Sequence, residues 1–401
     1  MSNNPILRQI IHLDLDAFYC AVEQILDPSL RGKAFAVGGR PGGRGVVTSC
    51  SYAARAYGVH AAMPSAQAVR MCPDLILVSS HFQAYGIASK KVMTKLRELT
   101  PQMEQISIDE AFLDVTSLPI NILIAARKLQ ADIYDHLQLP CSLGIASNKL
   151  VAKIANDVGK AAAKGVHSPM ALTLVPPGDE AQFLAPLPVE MLWGVGPKTA
   201  RKLAALNIET IGDLAAQDEI ELMRRYGKIG HDLSRRAKGI DNRPIVIERD
   251  IKSISQEITF SKDMQDPQKL RQTITKQANK ISNQLQKKDM LARTIKIKVR
   301  WPDFTTITRQ KTLMQPTNDR EIIFINALQL FEYVWQPGKF VRLLGVGTSG
   351  LENPAQQIGL WDVDWEKEHR LQSTMAKIRN KYGDDVLSRG LPDKSKNNTK
   401  S

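Results

Sequence analysis

The stretch "QISIDEAFLDV", from Gln105 to Val115, alternates apolar residues until Asp109 and Glu110 place two carboxylates side by side. Along an extended chain adjacent side chains point to opposite faces, so neighbouring acids can serve one site only where the chain turns. The stretch therefore reads as a strand ending at Ile106 and Ile108, a turn at Asp109 and Glu110, and a second strand with Ala111, Leu113 and Val115 on its inner face. Taken alone, it also fits a surface hairpin with a solvated acidic tip, because acids are common at turns.

A second acidic site lies in "RQIIHLDLDAFYCAVEQIL", residues 8–26. Ile11, Leu13 and Leu15 alternate with His12, Asp14 and Asp16, the pattern of a strand with an apolar back and two acids in front. Phe18, Val22 and Ile25 follow at helical spacing, which makes Asp16 the expected helix N-cap and leaves Asp14 without a capping task. If this strand lies beside the Asp109-Glu110 hairpin, three carboxylates converge with no matching cluster of bases. Such a group needs cations, and all-oxygen ligation suits magnesium.

Composition narrows the reading further. With 401 residues, 43% of them hydrophobic, the chain can bury several cores and should form several domains. The four cysteines, Cys20, Cys50, Cys72 and Cys141, are widely spaced without a Cys-x-x-Cys, which argues against a structural zinc site and a disulfide scaffold. The N-terminal apolar run is too short for a signal sequence, and no stretch approaches the roughly 18 apolar residues of a membrane span, so a cytoplasmic protein with no membrane partner is expected. A net charge of +13 points to a polyanionic partner without separating DNA from RNA or an anionic membrane.

Four stretches in order, "HLDLDAFYCAVEQ", "VVTSCSYAARAYGV", "QISIDEAFLDV" and "SLGIASNKLVAKIANDVGK", resemble the Y-family translesion DNA polymerases, nearest the bacterial DNA polymerase IV group. The resemblance spans about residues 8 to 350. It implies an α+β multidomain right-hand polymerase with a ferredoxin-like palm (1–28 and 80–169), small fingers (29–79), a helical helix-hairpin-helix thumb (170–243), a linker (244–252), an α/β little-finger domain (253–350) and a tail (351–401). It also implies primer-template DNA and deoxynucleoside triphosphates as substrates, low-fidelity synthesis on damaged DNA without proofreading, and a monomer.

By the same resemblance Asp14, Asp109 and Glu110 match the family's metal ligands, for two Mg2+ ions, with Asp14 and Asp109 bridging, Glu110 on the metal that activates the primer 3′-hydroxyl, and the Leu15 carbonyl completing the nucleotide-side metal. Asp114 is expected to be structural. Phe18, Ser49, Tyr52, Arg55 and Lys160 match nucleotide-binding positions, and Tyr52 to Arg55 is an i, i+3 step along one helical face. The family commonly reads Lys-Pro-Asn-Gly where this chain has "KAAAKG", so Lys164 stands as an alternative to Lys160. Tyr19 matches the aromatic steric gate against C2′ of the nucleotide, with simple core packing as its alternative. Val46, Thr48 and Ala62 match the roof over the nascent base pair.

The loop "GGRPGGRGVV" lies between strand-like stretches and does not open a helix, so it fails the requirement of a phosphate-binding P-loop and reads as a fingers hairpin. Downstream, two short helical patterns flank "WGVGPKTA", resembling a helix-hairpin-helix in which Gly194, Gly196 and Lys198 approach a DNA phosphate; an ordinary glycine turn fits equally. Residues 253–350 hold 16 Lys and Arg against 8 Asp and Glu. Within them Lys296, Lys298 and Arg300 alternate with Ile295, Ile297 and Val299, which suits backbone tracking or a solvated sheet face. In the tail, Gln357, Leu360 and Trp361 resemble a sliding-clamp-binding peptide, followed by an amphipathic helical pattern. A non-catalytic DNA-binding repair scaffold, or a nucleotide cyclase on a similar palm, are the alternatives; the three acids argue against the first, and the helix-hairpin-helix and the basic domain against the second.

Overall fold

The computed structural model describes residues 7–119, 121–163, 165, 167–354 and 374. From the N-terminus, β1 (Ile10–Leu15) and α1 (Phe18–Leu26) precede a small unit of β2 (Phe35–Gly38), β3 (Val47–Cys50), α2 (Tyr52–Arg55), α3 (Ser65–Met71) and β4 (Ile76–Val78). Then come α4 (Phe82–Leu99), β5 (Met103–Gln105), β6 (Glu110–Asp114), α5 (Ile122–Leu137), β7 (Cys141–Ala146), α6 (Lys149–Ala162) and β8 (Leu172–Leu174). A helical stretch comprises α7 (Glu180–Leu184), α8 (Pro197–Ala204), α9 (Ile211–Ala215), α10 (Glu219–Tyr226) and α11 (Lys228–Ala237). The last sheet unit is β9 (Ser253–Met264), α12 (Pro267–Lys287), β10 (Leu291–Arg300), β11 (Thr306–Thr317), α13 (Arg320–Val334) and β12 (Val341–Glu352).

The first sheet runs β5-β6-β1-β7-β8, and its core β1-α4-β5-β6-α5-β7 has the split βαβ order of a ferredoxin-like fold. Alternation along β1 works as the sequence suggests. Ile11, Leu13 and Leu15 join one core with α1, α4 and α5, while Ile10 and Phe112 face the opposite way into a second core with α6. Each side chain so buried stabilises the sheet by about 1.5–3 kcal/mol relative to exposure. The acids share the face covered by α6, where the second core thins out and polar groups take over.

Four expectations change. Ile106 and Ile108 do not end a strand: β5 stops at Gln105, and residues 106–109 form the turn. A strand would put their side chains on one face; in the turn they pack on opposite cores, Ile106 on the second and Ile108 on the first. Glu110 belongs to β6, not to the turn. Nor is Asp16 the N-cap of α1. That place falls to Ala17 in a left-handed conformation (φ 44°), while the buried Asp16 carboxylate accepts bonds from Ser142 Oγ (2.8 and 3.0 Å) and the Met170 N–H (3.0 Å). Finally, the change of character expected after residue 169 comes later, since β8 still extends the sheet beside β7.

The small unit is a three-stranded sheet, β3-β2-β4, in which β2 and β3 form the hairpin expected around the glycine-rich loop. Between β8 and β9, α7 to α11 pack into the second core. The last unit is an antiparallel sheet, β11-β10-β12-β9, with α12 and α13 on one face. Part of the expected charged linker, 244–252, is docked: the buried Glu104 accepts from Lys149 Nζ (2.8 Å), from the Val246 N–H (3.0 Å) and from Arg249. Among the described residues no helix is long and apolar enough to cross a membrane, and the four cysteines are free and buried.

Candidate active site

Asp14 and Glu110 are direct partners in the antiparallel register of β1 and β6, so both side chains rise from the same face at adjacent positions. Asp109 is brought in by the turn, its carbonyl accepting the Leu15 N–H at 3.0 Å. Two serines shape that turn. Ser107 Oγ donates to Asp109 Oδ1 at 2.5 Å, and Ser89 Oγ of α4 donates to the Ile108 carbonyl at 2.5 Å. The three acids named from sequence thus meet at one end of the sheet. Asp114 lies at the far end of β6, held by Arg8 and by the Thr116 N–H and hydroxyl, which fits its structural assignment.

The expectation that no bases match these acids is overturned. Lys153 and Lys160, two helical turns apart on α6, reach Glu110 Oε1 (2.5 Å) and Asp14 Oδ1 respectively. Lys160 also lies 3.3 Å from Asp16 Oδ1. The buried His12 adds a third contact, its Nε2 lying 2.6 Å from Glu110 Oε1 while Nδ1 accepts from the Asn156 amide at 3.0 Å. Burial lowers the pKa of His12, so the neutral ring donates through Nε2 to the carboxylate.

These surroundings set the charges. Burial alone would raise Glu110, but donation from His12 and Lys153 more than offsets it and brings the carboxyl to about 2. For Asp14 burial dominates and lifts the pKa despite Lys160. Among the described residues no three His, Cys, Asp or Glu side chains stand in a ready-formed metal cage. The donor set is nevertheless all oxygen, on adjacent backbone positions, and the two lysines are flexible side chains about one-fifth exposed. The ammonium on Glu110 and the one on Asp14 are open to exchange for a hard divalent cation, while Asp109 carries only the Ser107 hydroxyl, so the residues fit such an ion.

The expected nucleotide contacts gather beside the acids. Ser51 caps α2 by accepting the Ala54 N–H, and the Arg55 guanidinium stacks on the Tyr52 ring at 4.5 Å, so the i, i+3 pair does share a face. Ser49 lies on β3 within 3.6 Å of Cys20 Sγ. Tyr52 also lines a cavity of about 460 Å³ with Asp16, Arg31, Lys33 and His167. Two assignments take a narrower form. Phe18 is only 3% exposed and packs in the first core, leaving just its main chain at the start of α1 for a ligand. Lys160 is engaged with Asp14 and Asp16, while its alternative Lys164 lies outside the described residues.

Tyr19, half-buried, faces the same site, since the Asp109 charge contributes to raising its phenol pKa after burial. Val46, Thr48 and Ala62 are exposed together, joined by the Ala62 N–H to Val47 carbonyl bond (2.8 Å). Further on, Gly194 adopts φ 106°, and Gly196 is the N-cap of α8 with no capping side chain; Pro197 at the first helical position has no N–H, and the Thr199 N–H bonds the Gly196 carbonyl at 2.9 Å, so of the opening turn only the Lys198 N–H is left for a ligand. A short 3-10 turn at Val189–Met191, not a second regular helix, leads into that hairpin. Lys296, Lys298 and Arg300 share one face of β10, opposite the fully buried Ile295, Ile297 and Val299. Gln357, Leu360 and Trp361 lie outside the described residues.

Sequence reasoning missed Lys153, His12 and Asn156. Their signals were present: His12 has the strand parity of Asp14, and Lys153 lies seven residues before Lys160 on an amphipathic helix.

Comparison with known proteins follows the same outline. Residues 13–157 match the impB/mucB/samB family, residues 251–360 that family's C-terminal domain, and residues 177–208 the IMS family HHH motif. DNA polymerase IV of Dehalococcoides mccartyi (strain CBDB1) is 39% identical over 388 residues, covering 96% of this chain and 97% of that protein. DNA polymerase IV 1 of Bacillus subtilis (strain 168) is 39% identical over 392 residues, covering 96% and 92%. Among solved structures, the Y-family DNA polymerase chimera Dbh-Dpo4(243-245)-Dbh superposes with a TM-score of 0.76 at 24% identity, covering 86% of this chain and 99% of that one.

Proposed function

The chain belongs to the Y family of DNA polymerases, in the group of the bacterial DNA polymerases IV, and from that premise we propose that Asp14, Asp109 and Glu110 form its nucleotidyl-transfer centre. The protein is a translesion DNA polymerase acting on primer-template DNA and deoxynucleoside triphosphates. The observation that carries the site is the register pairing of Asp14 with Glu110, with Asp109 joined to the same strand end through Leu15.

Two Mg2+ ions held by these carboxylates and the Leu15 carbonyl would activate the primer 3′-oxygen and neutralise charge developing on the pyrophosphate. The chain's own groups do the rest. Tyr52, Arg55 and Ser49 orient the triphosphate, and Lys160 can release Asp14 to meet it as its counter-charges change. Tyr19 sets the space at C2′ of the sugar. Val46, Thr48 and Ala62 offer short side chains over the base pair, leaving room for a damaged template base. Gly194, Gly196 and Lys198 contact DNA phosphates, and the β10 face holds the duplex backbone. The tail segment with Gln357, Leu360 and Trp361 tethers the enzyme, working as a monomer, to a sliding clamp.

Primer extension tests the centre. Asp14→Ala, Asp109→Ala and Glu110→Ala should each reduce extension by about 10³-fold or more while DNA affinity holds, because the carboxylates act in the transition state and the basic surfaces hold the duplex. Extension at the wild-type rate by any one of them would remove that residue from the site.

A further inference from the structure

Behind Tyr19 lies a buried polar network that nucleotidyl transfer does not use. Tyr19 stacks on Tyr85, ring centroids 4.5 Å apart and planes 25° from parallel, and Phe82 meets the two rings edge-on at 6.2 and 5.7 Å. Tyr85, in the first turn of α4, is fully buried. Its hydroxyl is engaged on both sides: it donates to Glu23 Oε1 and accepts the His81 main-chain N–H at 3.0 Å. Glu23 stands one helical turn beyond Tyr19 on α1 and is 2% exposed. Both its oxygens also accept from His81 Nδ1, at 2.9 and 3.0 Å.

A carboxylate under an aromatic layer is an expensive way to join two helices. An apolar pair of similar volume would hold α1 to α4 at least as well. What the network adds is position. A phenol held by an acceptor on one helix and a donor at the start of another has one ring setting, and any other would orphan buried polar groups. Tyr19 has no such anchor. Among the described residues its hydroxyl makes no hydrogen bond, so packing alone places the ring, and Tyr85 is the stacked partner beneath it. A steric gate works by contact, and a gap of 0.5–1 Å forfeits about a quarter to a half of a van der Waals well.

We propose that Glu23 is a positioning residue for sugar discrimination: by fixing the Tyr85 hydroxyl it fixes the ring on which Tyr19 rests, and with it the distance from Tyr19 to C2′ of the incoming nucleotide. The proposal rests on the reading of Tyr19 as the gate. Glu23 and Tyr85 are buried beneath Tyr19, so their effect appears in selectivity, not in deoxynucleotide turnover.

The test is the ratio of kcat/KM for a deoxynucleotide to that for the matching ribonucleotide, in single-nucleotide insertion on undamaged primer-template. Tyr85→Phe and Glu23→Ala should each lower the ratio about tenfold, a size consistent with slight misplacement of a positioning group. The change should come from the ribonucleotide, with the deoxynucleotide value within about twofold of wild type. Glu23→Gln, whose amide oxygen still accepts from the phenol, should keep most of the discrimination. In a Tyr19→Ala background, Tyr85→Phe should add nothing. Unchanged ratios in Tyr85→Phe and Glu23→Ala, alongside collapse in Tyr19→Ala, would make the network purely structural and leave the gate standing. Multiplicative losses in the double variant would also overturn the proposal. An intact ratio in Tyr19→Ala would instead overturn the gate itself, and the proposal with it. If Glu23→Ala does not fold, Tyr85→Phe, which removes one oxygen atom, decides the matter alone.

Discussion

Arg55 lays its guanidinium over Tyr52 on a helix of a single turn, and that stacking fixes a side chain that otherwise has many rotamers. A pre-placed, permanently charged donor is the better phosphate ligand, whereas the Lys160 ammonium is already shared between Asp14 and Asp16. Arg55→Ala should therefore raise KM for the incoming nucleotide about tenfold, the loss of one charge-assisted hydrogen bond, with a smaller fall in kcat. Lys160→Met should raise it less. Steady-state insertion kinetics separate the two, and the reverse order would make Lys160 the principal phosphate contact. At this scale the sequence was most informative about Asp14 and Glu110 and misleading about Asp16. An acid before an apolar helical pattern reads as a cap, yet Ser142, 126 residues away, claims its carboxylate.

Strand β5, helix α6 and the segment after residue 243 meet at Glu104. Its carboxylate is 1% exposed and the Lys149 side chain 5%, and Lys149 also donates to the Pro244 carbonyl at 2.7 Å. Lys149→Met removes the buried ammonium but leaves Arg249 and the Val246 N–H on Glu104, so it should cost about 1–3 kcal/mol, less than a fully stranded charge, with part restored by adding Glu104→Gln. Acid should act on the same contact. Burial alone would raise the Glu104 pKa, but donation from Lys149, Val246 and Arg249 prevails and holds it below the ordinary 4.5. A carboxyl lowered in the folded state contributes stability that is complete above its unfolded pKa and is lost as pH falls through the folded value. Urea midpoints should thus drop as pH falls below about 4.5, and less steeply in Glu104→Gln. Equal slopes in both proteins would exclude Glu104 as the source. Strand β10 was legible because Ile295, Ile297 and Val299 alternate regularly with its cations. The docked segment was not, because its hold is the distant Glu104–Lys149 pair.

Over the whole chain, the net charge of +13 is concentrated in residues 253–350, and the β10 face presents part of it. Lys298 is occupied by Glu257 at 2.9 Å and Arg300 by Thr306 at 2.8 Å, whereas Lys296 has no polar partner among the described residues. Gly345 and Gly347 of β12 flank these cations in register, and a Cβ on Gly345 would meet that of Glu257 at 2.9 Å. Glycine keeps that face low enough for a sugar-phosphate backbone to approach. Lys296→Ala should accordingly reduce the slope of log affinity against log salt by about 1, with a smaller change for Lys298→Ala. Fluorescence anisotropy with primer-template across a salt series measures both, and an unchanged slope for Lys296→Ala would return the face to a solvated role. Arg44 joins this unit to the glycine-rich hairpin, donating to the Phe260 carbonyl at 2.9 Å and pairing with Asp263 at 2.6 Å. Nothing in "GGRPGGRG" announces that partner.

The sequence alone determined the period of each long element, the face its apolar residues bury, the three acids and the basic block. These follow from local chemistry, since side-chain alternation and helical spacing depend on residues only a few positions apart. The tertiary structure decided which groups answer those acids. Lys153 reaches Glu110 across 43 positions, His12 across 98, and Lys160 reaches Asp14 across 146. No periodicity encodes such pairings. They exist because α6 is driven by its apolar face onto a sheet whose strand order joins distant segments, and the charges then settle where burial has left them.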